Sequence, residues 1–395
     1  MEKVKLRNRL TKSGLLLIAF FTPLFVEMIY VGKLLVLIGW TWKLRKEKSK
    51  ITLRTPLDFP IVIFVIIGLI SIFNSLVPEQ SLMVMVGFVT GILLSYYLVL
   101  ANITNEKFLK KFVLAMILGG TIIAYFGIYE RSMEGIKQSY ATLINPNILA
   151  GYLILIIPIV SSLLFYAPKG NKKALLAFSF ITMVICLILT RSRAGWLALV
   201  GTMIFLVIIE KRKRLVIGLT LIIIVVASIL IPSINTRLVT IFDLNSSLNK
   251  ERIYVAKSAL QMIKDHPLTG IGVSAFYYIY PRYRLPEATR DLPHAHNIFL
   301  QIGAEMGLFG VVIFLWLLIR VFKIGWEILR KAKDDYLRAL GIGLLASLVA
   351  FLINQEFDFM WLTHNLFVFF WILLAMFPLV RNLVLKNKGN GKNWT

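Results

Sequence analysis

Charge is scarce in this sequence. Only 16% of its 395 residues are Asp, Glu, Lys or Arg, and 58% are hydrophobic; soluble domains carry about 25% charged residues. The length alone would suggest two or three soluble domains, and this composition excludes them. Acidic residues are the scarcer kind, 20 against 44 basic, for a net charge of +24. Cysteine is nearly absent: Cys186 lies alone in an apolar run, so no intrachain disulfide can form. There is no GxxxxGK[ST] loop, no GxGxxG after a strand, no HExxH and no CxxC. Energy coupling by ATP and a structural zinc site are therefore not expected, and neither cofactor nor metal is assigned. No Ala-x-Ala cleavage site follows the first apolar run, which reads as a retained anchor.

What is present is apolar sequence in long runs. A bilayer core of about 30 Å needs roughly 20 apolar helical residues. Ten runs meet or approach this, at about 57–76, 81–101, 108–129, 147–167, 174–190, 195–210, 215–232, 297–320, 336–354 and 360–380. The stretch 14–42 is too long for one span and contains Pro23 and Glu27, so it reads either as one span or as two short helices meeting near Glu27. Basic clusters at 1–12 and 43–54 flank it, and such clusters collect on the cytoplasmic side. The chain must then cross twice between them, giving about twelve spans with both termini cytoplasmic. On this topology 31 Lys and Arg lie inside and 5 lie in short outer turns (Lys33, Arg131, Lys137, Arg191 and Arg193). In a soluble protein such a basic excess would suggest nucleic acid; here membrane lipid takes that place, and no nucleic-acid partner is expected.

The expected fold is thus an all-α integral membrane protein with one long, partly helical outer loop. Residues 1–232 hold helices one to nine, 233–296 the loop, 297–382 helices ten to twelve, and 383–395 a cytoplasmic tail. Within the loop, Asn249 to Lys264 has apolar residues at helical spacing and ends at His266-Pro267. Gly270-Ile271-Gly272 follows as a turn.

Polar residues that could carry chemistry gather at the outer mouth. Arg191-Ser192-Arg193-Ala194-Gly195-Trp196 places two arginines where the charge rule disfavours them. They could be a positive headgroup turn with Trp196 as a belt residue, or a fork for phosphate, whose geometry the guanidinium matches. His294 and His296 lie where the long loop meets the next span. His-x-His could be a metal pair, although no third ligand is apparent nearby; a neutral imidazole is also the usual base near pH 7, and two interfacial histidines with structural hydrogen bonds are the plain alternative. Arg237, Arg252, Arg282, Arg284 and Arg290 alternate with loop tyrosines, as a solvated face or a surface for an anionic sugar. Glu305, inside a span, is either functional or an arginine partner. Glu356, Asp358 and His364 lie near the last outer turn, Glu27 between the first two spans, and Asn145-Pro146-Asn147 reads as a helix start.

Three of these pieces, in order, carry a resemblance. Arg191 to Trp196 is similar to a Ser-Arg-rich start of a span. Glu251-Arg252 through Asp265-His266-Pro267-Leu268-Thr269-Gly270-Ile271-Gly272 is similar to an "arginine, then Asp-His-Pro-Leu-x-Gly-x-Gly" loop. His296-Asn297, nine residues, then Gly307-Leu308-Phe309-Gly310 matches a His, small polar, x9, Gly-x-x-Gly pattern, and Asn145-Pro146-Asn147 is a further match. Together they resemble the O-antigen ligase and polymerase superfamily of bacterial inner-membrane glycosyltransferases. The resemblance implies an undecaprenyl-pyrophosphate-linked glycan donor, bound by Arg193 and Arg252 with Arg191 beside them. It implies His296 as the catalytic histidine that activates an acceptor hydroxyl, with His294, Asn297, Glu305 and Asn147 in support. Transfer would occur on the periplasmic face, without metal and with inversion. The acceptor stays open: lipid A-core for a ligase, a second lipid-linked glycan for a polymerase, Ser or Thr for a protein O-oligosaccharyltransferase. A lipid-linked oligosaccharide flippase is the alternative of another class; transporters, however, place polar residues at the midplane and show repeated halves.

Overall fold

The computed structural model of the chain describes residues 2–47, 54–133, 138–143, 145–211, 213–230, 243, 246–359 and 363–389. Arg237 and the start of the long loop fall outside this set. The regular elements of the described residues are all helices, without strands. The helices are α1 (Glu2–Phe21), α2 (Val26–Glu47), α3 (Asp58–Ile72), α4 (Pro78–Asn102), α5 (Glu106–Met133), α6 (Pro146–Tyr166) and α7 (Asn171–Leu189). After them come α8 (Arg193–Ile209), α9 (Arg214–Leu230), α10 (Ser247–Asp265), α11 (Phe276–Tyr283), α12 (Ile298–Lys331), α13 (Asp335–Gln355) and α14 (His364–Gly389). Seven are long and apolar enough to cross a bilayer: α4, α5, α6, α7, α12, α13 and α14 up to Lys386. Three shorter apolar helices accompany them, α3, α8 and α9 up to Val226. This is the composition of a membrane protein.

The stretch 14–42 resolves into two antiparallel helices. They turn at residues 22–25 around Pro23, a few residues before Glu27. Gly14 and Gly32 face each other across the pair so closely that an added Cβ on either would meet the other's carbonyl oxygen, at 2.6 and 2.8 Å. Small residues allow such close backbone approach between membrane helices. Lys33, expected in an outer turn, instead lies within α2, buried, with its ammonium 5.7 Å from the Tyr30 ring centroid. Helix α14 continues to Gly389, so the segment expected as a tail begins as helix.

Helices α6, α13 and α14 form the centre. Their contacts are tied by hydrogen bonds as well as packing: Ser347 Oγ donates to the Leu155 carbonyl and Ser162 Oγ to that of Ala339, each at 2.6 Å. A separate small core lies under the long loop. It joins Val255, Ala259 and Met262 of α10 to Phe276, Ile279 and Tyr280 of α11, and to Ala295 and Ala304.

The run at 297–320 is not one straight helix. Gly307 has φ 71° and ψ −176°, so α12 is two helical segments meeting at a break. The loop segment Asp265-His266-Pro267-Leu268-Thr269-Gly270-Ile271-Gly272 docks against that break. Leu308 N donates to the Pro267 carbonyl at 2.8 Å, Ile271 N to that of Ala304 at 2.8 Å, and Gly272 N to that of Glu305 at 3.0 Å. The freed groups of the broken helix thus find loop partners, as buried backbone groups must. Gly270, with φ 68°, lies so close to the Glu305 backbone that a Cβ has no space. The two glycine patterns in the sequence are the two sides of this one junction.

Candidate active site

Four helix N-termini converge at the loop end of the bundle. Asn145 caps α6, its Oδ1 accepting from Asn147 N at 2.8 Å. Ser192 caps α8, its Oγ accepting from Gly195 N at 3.3 Å. Ser246 caps α10, and Asn297 caps α12 by accepting from Phe299 N and Leu300 N. These caps are the polar residues that favour helix starts, and helix N-termini favour anions.

Between them lies a cavity of about 380 Å³. Its walls include Asn147, Arg191, Arg193, Arg252, Arg290 and His296. Residues from four distant stretches of sequence therefore share one space. Four guanidinium groups face it, against the carboxylates of Glu251 and Asp358. Glu251 is engaged: its Oε1 accepts from Thr289 N at 2.9 Å and from Thr289 Oγ1 at 2.6 Å. Burial acts to raise its pKa, but the Thr289 donors and Arg290 outweigh this and hold the carboxyl below its ordinary range. The contact fastens the segment bearing Arg290 to the helix bearing Arg252. Arg290 was legible in the sequence only as one of several loop arginines.

The α7–α8 turn that presents Arg191 and Arg193 is built tightly. Arg191 adopts φ 57°, and Thr190 Oγ1 accepts from Ser192 N at 3.2 Å. Trp196 is no belt residue: it is buried, and its indole Nε1 donates to the Leu187 carbonyl at 3.3 Å.

His296 has φ 53°, in the left-handed region, which turns its ring out of the line of α12. Its Nδ1 lies 3.2 Å from Asp358 Oδ1. Asp358 is almost wholly buried, and neither its oxygens nor His296 Nδ1 has a hydrogen-bond partner among the described residues, so the contact is one of charge and proximity. The sequence marked Asp358 only as one of three polar residues at the last outer turn; its pairing with His296 depends on the α13–α14 turn folding over the α12 N-terminus. Asn297 Nδ2 secures the same junction by donating to Glu356 Oε2 at 2.6 Å.

His294 sits behind His296, with ring centroids 4.2 Å apart, and against Phe359. Burial, with the adjacent His296 and with Arg252, lowers its pKa to about 4, against a smaller opposing effect of Asp358. It is therefore neutral at pH 7. His294 lines a second cavity of about 370 Å³ with Ser274, Tyr277, Gln301 and Glu305. Glu305 thus faces away from the arginines. Its Oε1 accepts from Gln301 Nε2 at 2.9 Å and Phe276 N at 3.4 Å, while Gln301 Oε1 accepts from Ala295 N at 2.7 Å. This chain of bonds fixes the backbone between the two histidines. One ligand atom from each of His294, His296 and Asp358 falls within 4.8 Å of the others. The third candidate ligand that was not apparent in the sequence is therefore supplied by the fold.

The described residues thus form a helical bundle, with helices long and apolar enough to cross a membrane and an arginine-walled cavity beside a histidine–aspartate pair. Residues 178–315 match the family described as O-antigen ligase, a match that supports the O-antigen ligase superfamily. The matched region contains all four cavity arginines and both histidines; Asn147 and Asp358 lie outside it. No curated protein matches the chain.

Proposed function

We propose that the protein is a glycosyltransferase that moves a glycan from undecaprenyl pyrophosphate to an acceptor hydroxyl on the outer face of the bacterial inner membrane. In this reading the chain crosses the membrane about twelve times with both termini cytoplasmic. The observation that carries the proposal is the joining, in one cavity, of four arginines with the His296–Asp358 pair.

The chemistry follows from that geometry. Asp358, held against Nδ1, orients the imidazole of His296 and stabilises its protonated form, leaving Nε2 to accept the proton of the acceptor hydroxyl. The acceptor oxygen attacks the anomeric carbon of the donor sugar as the bond from that carbon to the pyrophosphate oxygen breaks. Arg193 and Arg252, with Arg191 and Arg290, neutralise the leaving pyrophosphate, and helix N-termini add to the positive field. In-line displacement inverts the anomeric centre. The proton ends on His296 and the electron pair on the pyrophosphate, so no nucleotide or redox partner is needed.

The acceptor is proposed as lipid A-core or a similar glycolipid. A growing polysaccharide, as in a polymerase, or a protein Ser or Thr would use the same donor machinery. The test is reconstitution of the purified protein with an undecaprenyl-pyrophosphate-linked glycan and each acceptor in turn. Covalent transfer to one of them supports the proposal and names the acceptor. Donor crossing the bilayer with no transfer to any of them supports a flippase instead.

A further inference from the structure

The end of the bundle opposite the arginine cavity carries a second charged pocket. It has a volume of about 220 Å³ and is lined by Pro56, Arg320, Lys323, Ile324, Glu327 and Arg381. Glu327 is the only carboxylate of this lining among the described residues, and it is already engaged. It accepts from Lys331 Nζ at 2.6 Å and from Arg381 through both Nε and Nη2. Arg320 donates Nε to the Pro56 carbonyl at 3.3 Å, an uncharged partner. Lys323 is exposed and makes no hydrogen bond or ion pair among the described residues. Arg381 is thus paired with Glu327, and Arg320 and Lys323 are left without a carboxylate partner among the described residues, so the pocket keeps a net positive charge.

The apolar surface leading to the pocket fits one kind of ligand. Leu308, Val312, Leu315 and Ile319 are exposed on α12 at intervals of four, three and four residues, so they form one stripe along the helix. At 1.5 Å per residue the stripe is about 16 Å long, close to half of a bilayer core of about 30 Å. Four residues beyond Ile319 on the same stripe stands Lys323. Helix α3 runs alongside and exposes Phe59, Val62, Ile66 and Leu69. Phe59 meets Trp316 edge-on at 5.4 Å, just above the pocket. A single leaflet's length of exposed apolar side chains thus ends on a pocket of net positive charge.

We propose that this pocket is a binding site for an anionic glycerophospholipid of the leaflet at this end of the bundle. The phosphate sits among Arg320, Lys323 and Arg381, and an acyl chain lies along the α3–α12 groove. Basic pockets between membrane helices bind anionic headgroups in this manner. Scattered basic residues at a cytoplasmic end need only follow the general charge bias. What sets this group apart is convergence on one pocket in register with the apolar stripe. The inference is independent of the reaction proposed for the arginine cavity.

Native mass spectrometry of the delipidated protein in detergent tests it, with phosphatidylglycerol, phosphatidylcholine and inorganic phosphate as separate probes. Phosphatidylglycerol is expected to bind at one site in preference to phosphatidylcholine, and inorganic phosphate is not expected to displace it. Lys323→Gln and Arg320→Gln should each weaken that binding by about fivefold. Lys172→Gln, an exposed charge at the start of α7, should leave it unchanged. Melting without lipid shows whether each variant is folded, and Lys323→Arg, which keeps the charge, should restore binding. Equal binding of the two lipids, or unchanged phosphatidylglycerol binding in the folded Lys323→Gln and Arg320→Gln variants, overturns the proposal. Displacement by inorganic phosphate alone overturns the lipid assignment and leaves a free-phosphate site.

Discussion

His296 Nδ1 and Asp358 Oδ1 lie 3.2 Å apart, although one residue precedes α12 and the other follows α13. Both atoms are buried without a hydrogen-bond partner among the described residues, and His294 completes a triplet with them. If the pair acts as base and orienting partner, His296→Ala should abolish glycan transfer while donor binding persists. Asp358→Asn should lower turnover by about a hundredfold or more, the usual scale of acid–base catalysis, again with donor binding intact. His294→Ala should retain measurable turnover. Transfer that survives in His296→Ala but not in His294→Ala would reverse these roles.

Arg193 and Arg252 reach one cavity from α8 and α10. On a shared pyrophosphate their effects should couple. Arg→Lys and Arg→Ala at both positions, measured as a double-mutant cycle on donor affinity, should show coupling of roughly 1 kcal/mol or more. Lysine should substitute poorly, because it lacks the planar fork. Strictly additive losses would assign the two arginines to separate roles.

Gly307 has φ 71°, and a Cβ there would collide with the backbone of Leu268 and Thr269. Gly307→Ala therefore combines a penalty of about 1–3 kcal/mol for a backbone conformation essentially restricted to glycine with overpacking of about 1–3 kcal/mol. A large fall in melting temperature in detergent is expected. Gly87, in α4, has open space around it, so Gly87→Ala should be neutral or slightly stabilising. Similar melting of the two variants would mean that the loop does not lock the break.

The depressed pKa of His294 has a pH signature. An unfolded chain gains a proton at this residue below about 6.5, whereas the folded chain does so only near 4. Stability from this residue is thus complete above pH 6.5 and is lost as the pH falls towards and through 4. Melting temperatures of His294→Gln should fall less than those of the unchanged protein between pH 7 and 4.5. An identical slope would remove His294 as a cause.

The triplet of His294, His296 and Asp358 could hold a cation by proximity alone. The proposed reaction uses arginines where a cation would otherwise stand, so transfer should persist after EDTA treatment. Loss in EDTA with recovery on adding magnesium or manganese would make the triplet a metal site.

The sequence by itself determined that this is a helical membrane protein, because apolar run length and the placement of basic residues act locally and are read one segment at a time. It also marked Arg191 and Arg193, because two arginines in one short outer turn are costly without a partner, whereas Arg252 and His296 stood out only through the resemblance their motifs carry. It could not distinguish a continuous span from the broken helix at Gly307, since the break is stabilised by loop carbonyls and amides some forty residues away in the chain. Nor could it raise Asp358 above Glu356, its neighbour at the same turn, or set Arg290 apart from Arg282 and Arg284. Those choices depend on which side chains the packing of α6, α8, α10 and α12 turns towards one cavity. Tertiary structure alone decides that, because burial and electrostatic pairing act through space and not along the chain.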